Sequence, residues 1–324
     1  MPLEPVPAEV DPVRKARRAR LWFFVRLAIT IATFWLLFYL VSVEDLIAAA
    51  KRIPVKAMAL CILLVLLGQF AGVQRFQLLL DAYGADHKPR WVESLRLFLV
   101  AAFYNTYLPG AVAGDVLRAV AVRKCFVQNG LTGALAVGFV ERVTGVAGML
   151  ILTASVAVMR PIPGIRGLLP FSLLGLVIAG GAIGAIVVGR RVSRFLPARL
   201  ATLANGLPLL HRYQPLAWAV MAAMVTHACT AVGFHVLISS LTKNASLAES
   251  LVIVPLACSA MYIPATVAGA GTRDAAFVLL YRGVGVSAAD ALAMSLAALL
   301  CTLLVAGLGG IANLVGPYER SDQA

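Results

Sequence analysis

At 324 residues and 34.2 kDa the chain has the length of two or three soluble domains, yet it is 61% hydrophobic and 13% charged, against roughly 45–50% and about 25% in globular proteins. With a mean hydropathy of +0.89, so much apolar surface cannot be hidden in a soluble core, and the chain reads as an all-α integral membrane protein. Disorder, nucleic-acid binding and a secreted disulfide scaffold are excluded together; the net charge of +13 lies in short segments between apolar runs, where it reports orientation and contact with anionic lipid.

Residues 1–20 form a basic tail with Arg14, Lys15, Arg17, Arg18 and Arg20. The apolar run 21–41, interrupted by Arg26, is long enough to cross as a helix, and it is too long for a signal peptide. Further full spans are predicted at 57–74, 131–159, 167–188, 214–241 and 287–315, six in all, within a membrane domain at 21–316 that a short tail, 317–324, follows. Segments 91–124 and 247–282 behave differently. Each starts apolar, breaks at Tyr-x-Pro and a Gly-containing stretch, and resumes as a shorter amphipathic run. Such a pattern is either a hairpin of two short spans or a re-entrant pair of half-helices, because Pro and Gly at membrane depth leave backbone groups that protein or water must satisfy.

If each broken segment enters and leaves on one side, 18 Lys and Arg fall on one face of the membrane and 8 on the other, with Arg26 and Arg142 inside spans. The richer side is then cytoplasmic and holds both termini. The five cysteines, Cys61, Cys125, Cys229, Cys258 and Cys301, are scattered and form no C-x-x-C; they read as small packing residues, with neither a disulfide nor a metal expected.

The two broken segments resemble each other. Tyr107-Leu-Pro109-Gly110-Ala-Val112-Ala113-Gly114-Asp115-Val-Leu-Arg118 matches Tyr262-Ile-Pro264-Ala-Thr-Val267-Ala268-Gly269-Ala-Gly271-Thr-Arg273 at six of twelve positions. Glu93-Ser94-Leu95 and Glu249-Ser250-Leu251 match upstream, and Gly130 and Gly285 each lie twelve residues beyond the arginine. Three predicted spans separate the copies, and an odd number reverses the chain, so the copies should form an inverted repeat, the architecture of many transporters that bind substrate at the repeat interface.

In V-A-G-x-x-x-R a glycine precedes an arginine by one helical turn. On helices starting near Gly114 and Gly269, free backbone N–H groups, close approach at glycine and the bidentate guanidinium of Arg118 or Arg273 would make an anion site suited to a lipid phosphate, which the two arginines are expected to bind jointly. Equally, Arg118 could pair with Asp115, three residues before it, while Arg273 snorkels to the interface. Arg273 and Asp274 are adjacent and should point apart on a helix. Glu141-Arg142 lies inside a span, with Glu141, Thr144, Gly145 and Gly148 on one face, either a packing seam or a polar cavity wall. Glu141 is the coupling candidate, as a proton carrier or as a contact to Arg118 or Arg273.

At these residues the sequence resembles the flippase-like membrane domain family named after the transmembrane region of bacterial lysylphosphatidylglycerol synthases. The resemblance is carried by Asn105, Leu108-Pro109-Gly110, Ala113-Gly114-Asp115, Arg118, Glu141-Arg142, Pro264, Gly269-Ala-Gly271 and Arg273-Asp274. Ala113 and Asp274 depart from its usual Gly and Glu. It implies the lipid-translocating membrane domain alone, without the aminoacyltransferase domain of the synthases. It also implies a bacterial plasma-membrane location, membrane lipids as substrates (an anionic phospholipid or a polyprenyl-linked glycolipid), and a glycosyltransferase or aminoacyltransferase as partner. No cofactor is expected. A lipid transporter is thus the leading reading; a non-transporting partner of a glycosyltransferase and an intramembrane lipid-modifying enzyme are the alternatives. Asp115, Glu141, Asp274 and Asp290 are isolated, without the clustered carboxylates that metal-dependent lipid transferases need, so no catalytic residue is assigned.

Overall fold

The computed structural model describes residues 24–25, 27–33, 35–39, 41–107, 113–126, 130–160, 162, 168–195, 197, 210–260 and 271–314. Among them the secondary structure is helical, with no strand. The apolar run at the start does not continue straight: α1 (Leu27–Tyr39) meets α2 (Val43–Arg52) at a bend of 84°. Ser42 begins the new helix by accepting from the Asp45 N–H at 3.1 Å, and Glu44 and Asp45 in the first turn with Lys51 and Arg52 in the last complement the helix dipole.

Among the described residues, four helices are long and apolar enough to cross a membrane: α3 (Val55–Ala82), α6 (Gly130–Met159), α8 (Tyr213–Ser239) and α11 (Ala288–Leu314). The bent α1–α2 pair adds a fifth if it is one span. α7 (Leu168–Val192) carries a shorter apolar stretch, Ser172–Val188. Four of the six predicted spans therefore have membrane-crossing length and composition. The main boundary difference is at α3, which runs on past 74 to Ala82 because Phe76, Leu79 and Leu80 keep it buried. The broken segments fold as α4 (Trp91–Tyr107) with α5 (Ala113–Val122), and as α9 (Leu247–Ser259) with α10 (Thr272–Arg282).

α3 and α8 pack antiparallel along their length. Gly233 lies against Cys61, Gly68 against Thr226, and the His211 N–H donates to the Ala82 carbonyl at 2.8 Å. At each end of this pair a different core forms. Val73, Phe76, Leu79 and Leu80 of α3 pack with Leu216 and Ala219 of α8, and this core takes in α4, α5 and the start of α6. Cys61 and Val65 pack with Phe234, Leu237 and Ile238, and this core takes in α2, α9, α10 and α11. The two broken segments thus sit at opposite ends of one antiparallel helix pair.

Their shared residues do the same local work. Glu93 accepts from the Arg90 N–H at 2.8 Å and Glu249 from the Ser246 N–H at 2.6 Å, each capping the start of its helix. The next residues, Ser94 and Ser250, are fully buried and tie to neighbouring helices: Gln77 donates to Ser94 at 2.7 Å and Tyr281 to Ser250 at 3.1 Å. Gly130 and Gly285 both adopt positive φ, 46° and 83°, a conformation that costs other residues more.

α4 is gripped by two glycines from different helices. A Cβ on Gly114 of α5 would lie 2.1 Å from the Ala101 carbonyl oxygen, and one on Gly309 of α11 would lie 1.8 Å from that of Leu99. At the far end, Arg52 pairs with Asp290 and donates to the Leu241 carbonyl at 3.3 Å, joining α2 to α11 and the end of α8.

Candidate anion site

The first broken segment, α6 and α3 together assemble a chain of charges inside the bundle. Glu141 of α6 lies between two guanidiniums: Arg75 Nη2 donates to its Oε1 at 3.0 Å, and Arg118 Nη1 stands 3.0 Å from its Oε2. Arg118 also donates to Asp115 Oδ1 at 2.9 Å, and its guanidinium lies 4.3 Å from the centre of the Phe98 ring. Asp115 in turn accepts from Arg142 Nε at 3.0 Å and from Arg142 Nη2. Among the described residues, three arginines and two carboxylates make up this network.

Asn105, near the end of α4, positions the network's helix. Its Oδ1 accepts from the Gly114 N–H at 2.8 Å, satisfying a donor at the start of α5, while its Nδ2 donates to Asp115 Oδ1 at 3.2 Å. Gly114 serves the close approach to α4 described above, so this part of the helix start is already satisfied by protein. The network is graded in depth: the Glu141 side chain is 4% exposed, that of Asp115 21% and that of Arg142 48%. Its Arg142 end therefore opens outward. The Nε–H groups of Arg75 and Arg118 are buried with no hydrogen-bond partner among the described residues.

The face of α6 predicted as either a seam or a polar wall is both. Gly148 packs on α8, where a Cβ would meet that of Ala223 at 2.6 Å, while Glu141 and the Gly145 carbonyl, 3.1 Å from His227 Nε2, line the polar side. The basic-residue count places Arg75 among the 18 Lys and Arg of the cytoplasmic face; α3 instead carries it into the bundle, with its side chain 14% exposed. The available signal was its place in the run Gly68–Leu80, which holds no other charged residue and is mostly apolar on both sides of the arginine.

Gly271, Arg273 and Asp274 form a separate group. Arg273 Nη2 donates to Asp274 Oδ1 at 3.1 Å, both residues being buried, and Ser295 of α11 also donates to that oxygen. The expectation that these neighbours point apart is corrected by the cap of α10. Asp274 sits at the third helical position and folds back to accept from the Gly271 N–H at 3.1 Å, which swings its other oxygen to Arg273. Gly271, at φ 85°, is the residue that permits this entry into the helix. Because α10 starts at Thr272, Arg273 lies in its first turn rather than one turn above the start. Arg118 and Arg273 share no bonding partner among the described residues and belong to opposite ends of the α3–α8 pair. Pro109, Gly110, Pro264 and Gly269 lie outside the described residues.

The model of the lysylphosphatidylglycerol synthase TM region matches residues 23–310, nearly the whole chain. The chain belongs to that family. In this member of the lysylphosphatidylglycerol synthase TM region family, the matched stretch contains the whole charge network and both broken segments. The match ties the protein to membrane-embedded domains linked to lipid metabolism or transport. No curated protein matches it.

Proposed function

We propose that this protein moves an anionic lipid, either a phospholipid or a lipid-linked glycan precursor, between the leaflets of a bacterial plasma membrane. The observation that carries the reading is the network of Arg75, Arg118 and Arg142 with Asp115 and Glu141. Charges at membrane depth are costly and are retained where they bind or conduct. Three clustered arginines, a half-exposed Arg142 and planar guanidinium forks suit a headgroup phosphate, whose tails stay in lipid.

Binding proceeds by exchange of partners. Asp115 holds Arg142 and Arg118 in the ligand-free site, and an incoming phosphate takes over the donors of Arg142, the exposed end, first. Glu141, between two guanidiniums, acts as their counter-charge, and this placement favours that role over a proton carrier. Asp115, Glu141, Asp274 and Asp290 are each paired with an arginine, which supports a binding role over a catalytic one.

The placement of the two broken segments at opposite ends of antiparallel α3 and α8, with matching caps and positive-φ glycines, supports the inverted repeat. The basic-residue count supports cytoplasmic termini. A glycosyltransferase or aminoacyltransferase that makes or consumes the lipid is the partner this reading implies. The test is a leaflet-sided assay on the full chain in liposomes with an acyl-labelled phosphatidylglycerol and a labelled polyprenyl phosphate. Movement of either above protein-free liposomes, reduced by Arg142→Gln, is expected. Failure to move both sinks the proposal.

A further inference from the structure

A second feature lies on the opposite face of α5 from the charge network. Asp115, Arg118 and Val122 share one face of this helix, and Leu117, Val120 and Ala121 lie on the other at helical spacing. The latter three line a cavity of about 280 Å³ between α5, α4 and the end of α11, together with Leu97, Val100, Arg96, Arg123 and Asn313. No carboxylate among the described residues lines it.

Its polar rim is built from three elements. Arg96 Nε donates to the Ala312 carbonyl at 3.1 Å, Arg123 Nη1 to the Val120 carbonyl at 2.9 Å, and Asn313 Nδ2 to the Tyr104 hydroxyl at 3.3 Å. The cavity belongs to the core that contains the end of α3, and the Asp86 N–H of the α3–α4 loop donates to the Cys125 carbonyl at 2.9 Å just beyond Arg123. The distribution of basic residues assigns this end to the cytoplasm, where the leaflet is anionic.

We infer that this cleft holds the headgroup of an anionic phospholipid of the cytoplasmic leaflet, with phosphate between Arg96 and Arg123 and the first acyl carbons along Leu97, Val100 and Val120. Its volume is at the lower edge of the roughly 300–1,000 Å³ of ligand pockets, enough for a headgroup while the chains remain in the bilayer. Val116 and Val120, 49% and 39% exposed, continue the apolar path outward. Basic pockets between membrane helices on this side are a recurrent means of holding lipid headgroups. The inference does not rest on transport, since a lipid seated here need never cross.

The test is native mass spectrometry of the full-length protein with dioleoyl-phosphatidylglycerol and dioleoyl-phosphatidylcholine, comparing wild type, Arg96→Gln/Arg123→Gln and the cavity-filling Ala121→Trp. Wild type should retain phosphatidylglycerol preferentially. Both variants should lose one tightly bound molecule, with affinity for it roughly tenfold weaker, and wild type should keep it in the presence of inorganic phosphate. Equal phosphatidylglycerol binding by wild type and either variant overturns the inference. So does a fall in melting temperature of the double variant with unchanged lipid affinity, since the arginines would then only cap helix ends. Displacement by inorganic phosphate shows an ion site and overturns the lipid occupant. Arg118→Lys, which probes the network across α5, should leave this bound lipid in place, so the transport reading and this one fail separately.

Discussion

Glu141 touches two buried guanidiniums, and removing one partner of a buried pair leaves the other charge uncompensated. Glu141→Gln keeps the shape and should destabilise the protein by about 3–5 kcal/mol, read as a lower melting temperature in detergent. Any dependence of lipid movement on a pH gradient should be unchanged. A proton carrier would give the reverse: a stable variant whose gradient dependence has gone. Arg118→Lys keeps the charge but loses the planar fork that spans Asp115 and Glu141 together. It should insert and fold while moving lipid markedly more slowly, measured in the same liposomes; normal movement would remove Arg118 from headgroup recognition.

At the scale of elements, α4 is fixed by backbone contact and has no room for a methyl group at Gly114 or Gly309. Either Gly→Ala change must push α4 away from α5 or α11, at a cost of about 1–3 kcal/mol or more. Gly138 of α6 offers the comparison, since nothing lies within 4 Å of its would-be Cβ. Gly138→Ala should leave stability unchanged or raise it by about 0.4–1 kcal/mol. Thermal unfolding of the three variants in one detergent checks the ranking. Gly114→Ala should also weaken lipid movement, because Gly114 and Asp115 are adjacent and Asn105 holds both.

For the whole molecule, the inverted arrangement makes a prediction about sidedness. Lys88 in the α3–α4 loop and Lys243 in the α8–α9 loop are both exposed, at opposite ends of the α3–α8 pair. Single cysteines at these positions should label from opposite sides of intact cells or vesicles, Lys243→Cys from outside and Lys88→Cys only after permeabilisation. Cys61, Cys125 and Cys301 are buried and Cys229 and Cys258 partly so, which keeps the background low. External labelling of both positions to the same extent would rule out the inverted repeat.

Composition and hydropathy determined by themselves that the chain is helical and membrane-embedded, because 61% apolar residues admit no soluble alternative. The same one-dimensional signals located α3, α6, α8 and α11 and picked out Asp115, Arg118, Glu141 and Arg142, since charged residues stand out against apolar runs; Asn105 was marked only by the family resemblance. Pairing was different, because it depends on side-chain reach and on where a helix begins. Only the tertiary structure put Arg75 in the core, where continued burial extends α3 past the predicted end, and only the cap at Gly271 turned Asp274 back onto Arg273. It also decided that Arg118 and Arg273 serve separate groups: the sequence match shows that two segments are alike, whereas their distance is set by the antiparallel α3–α8 pair, which carries them to opposite ends.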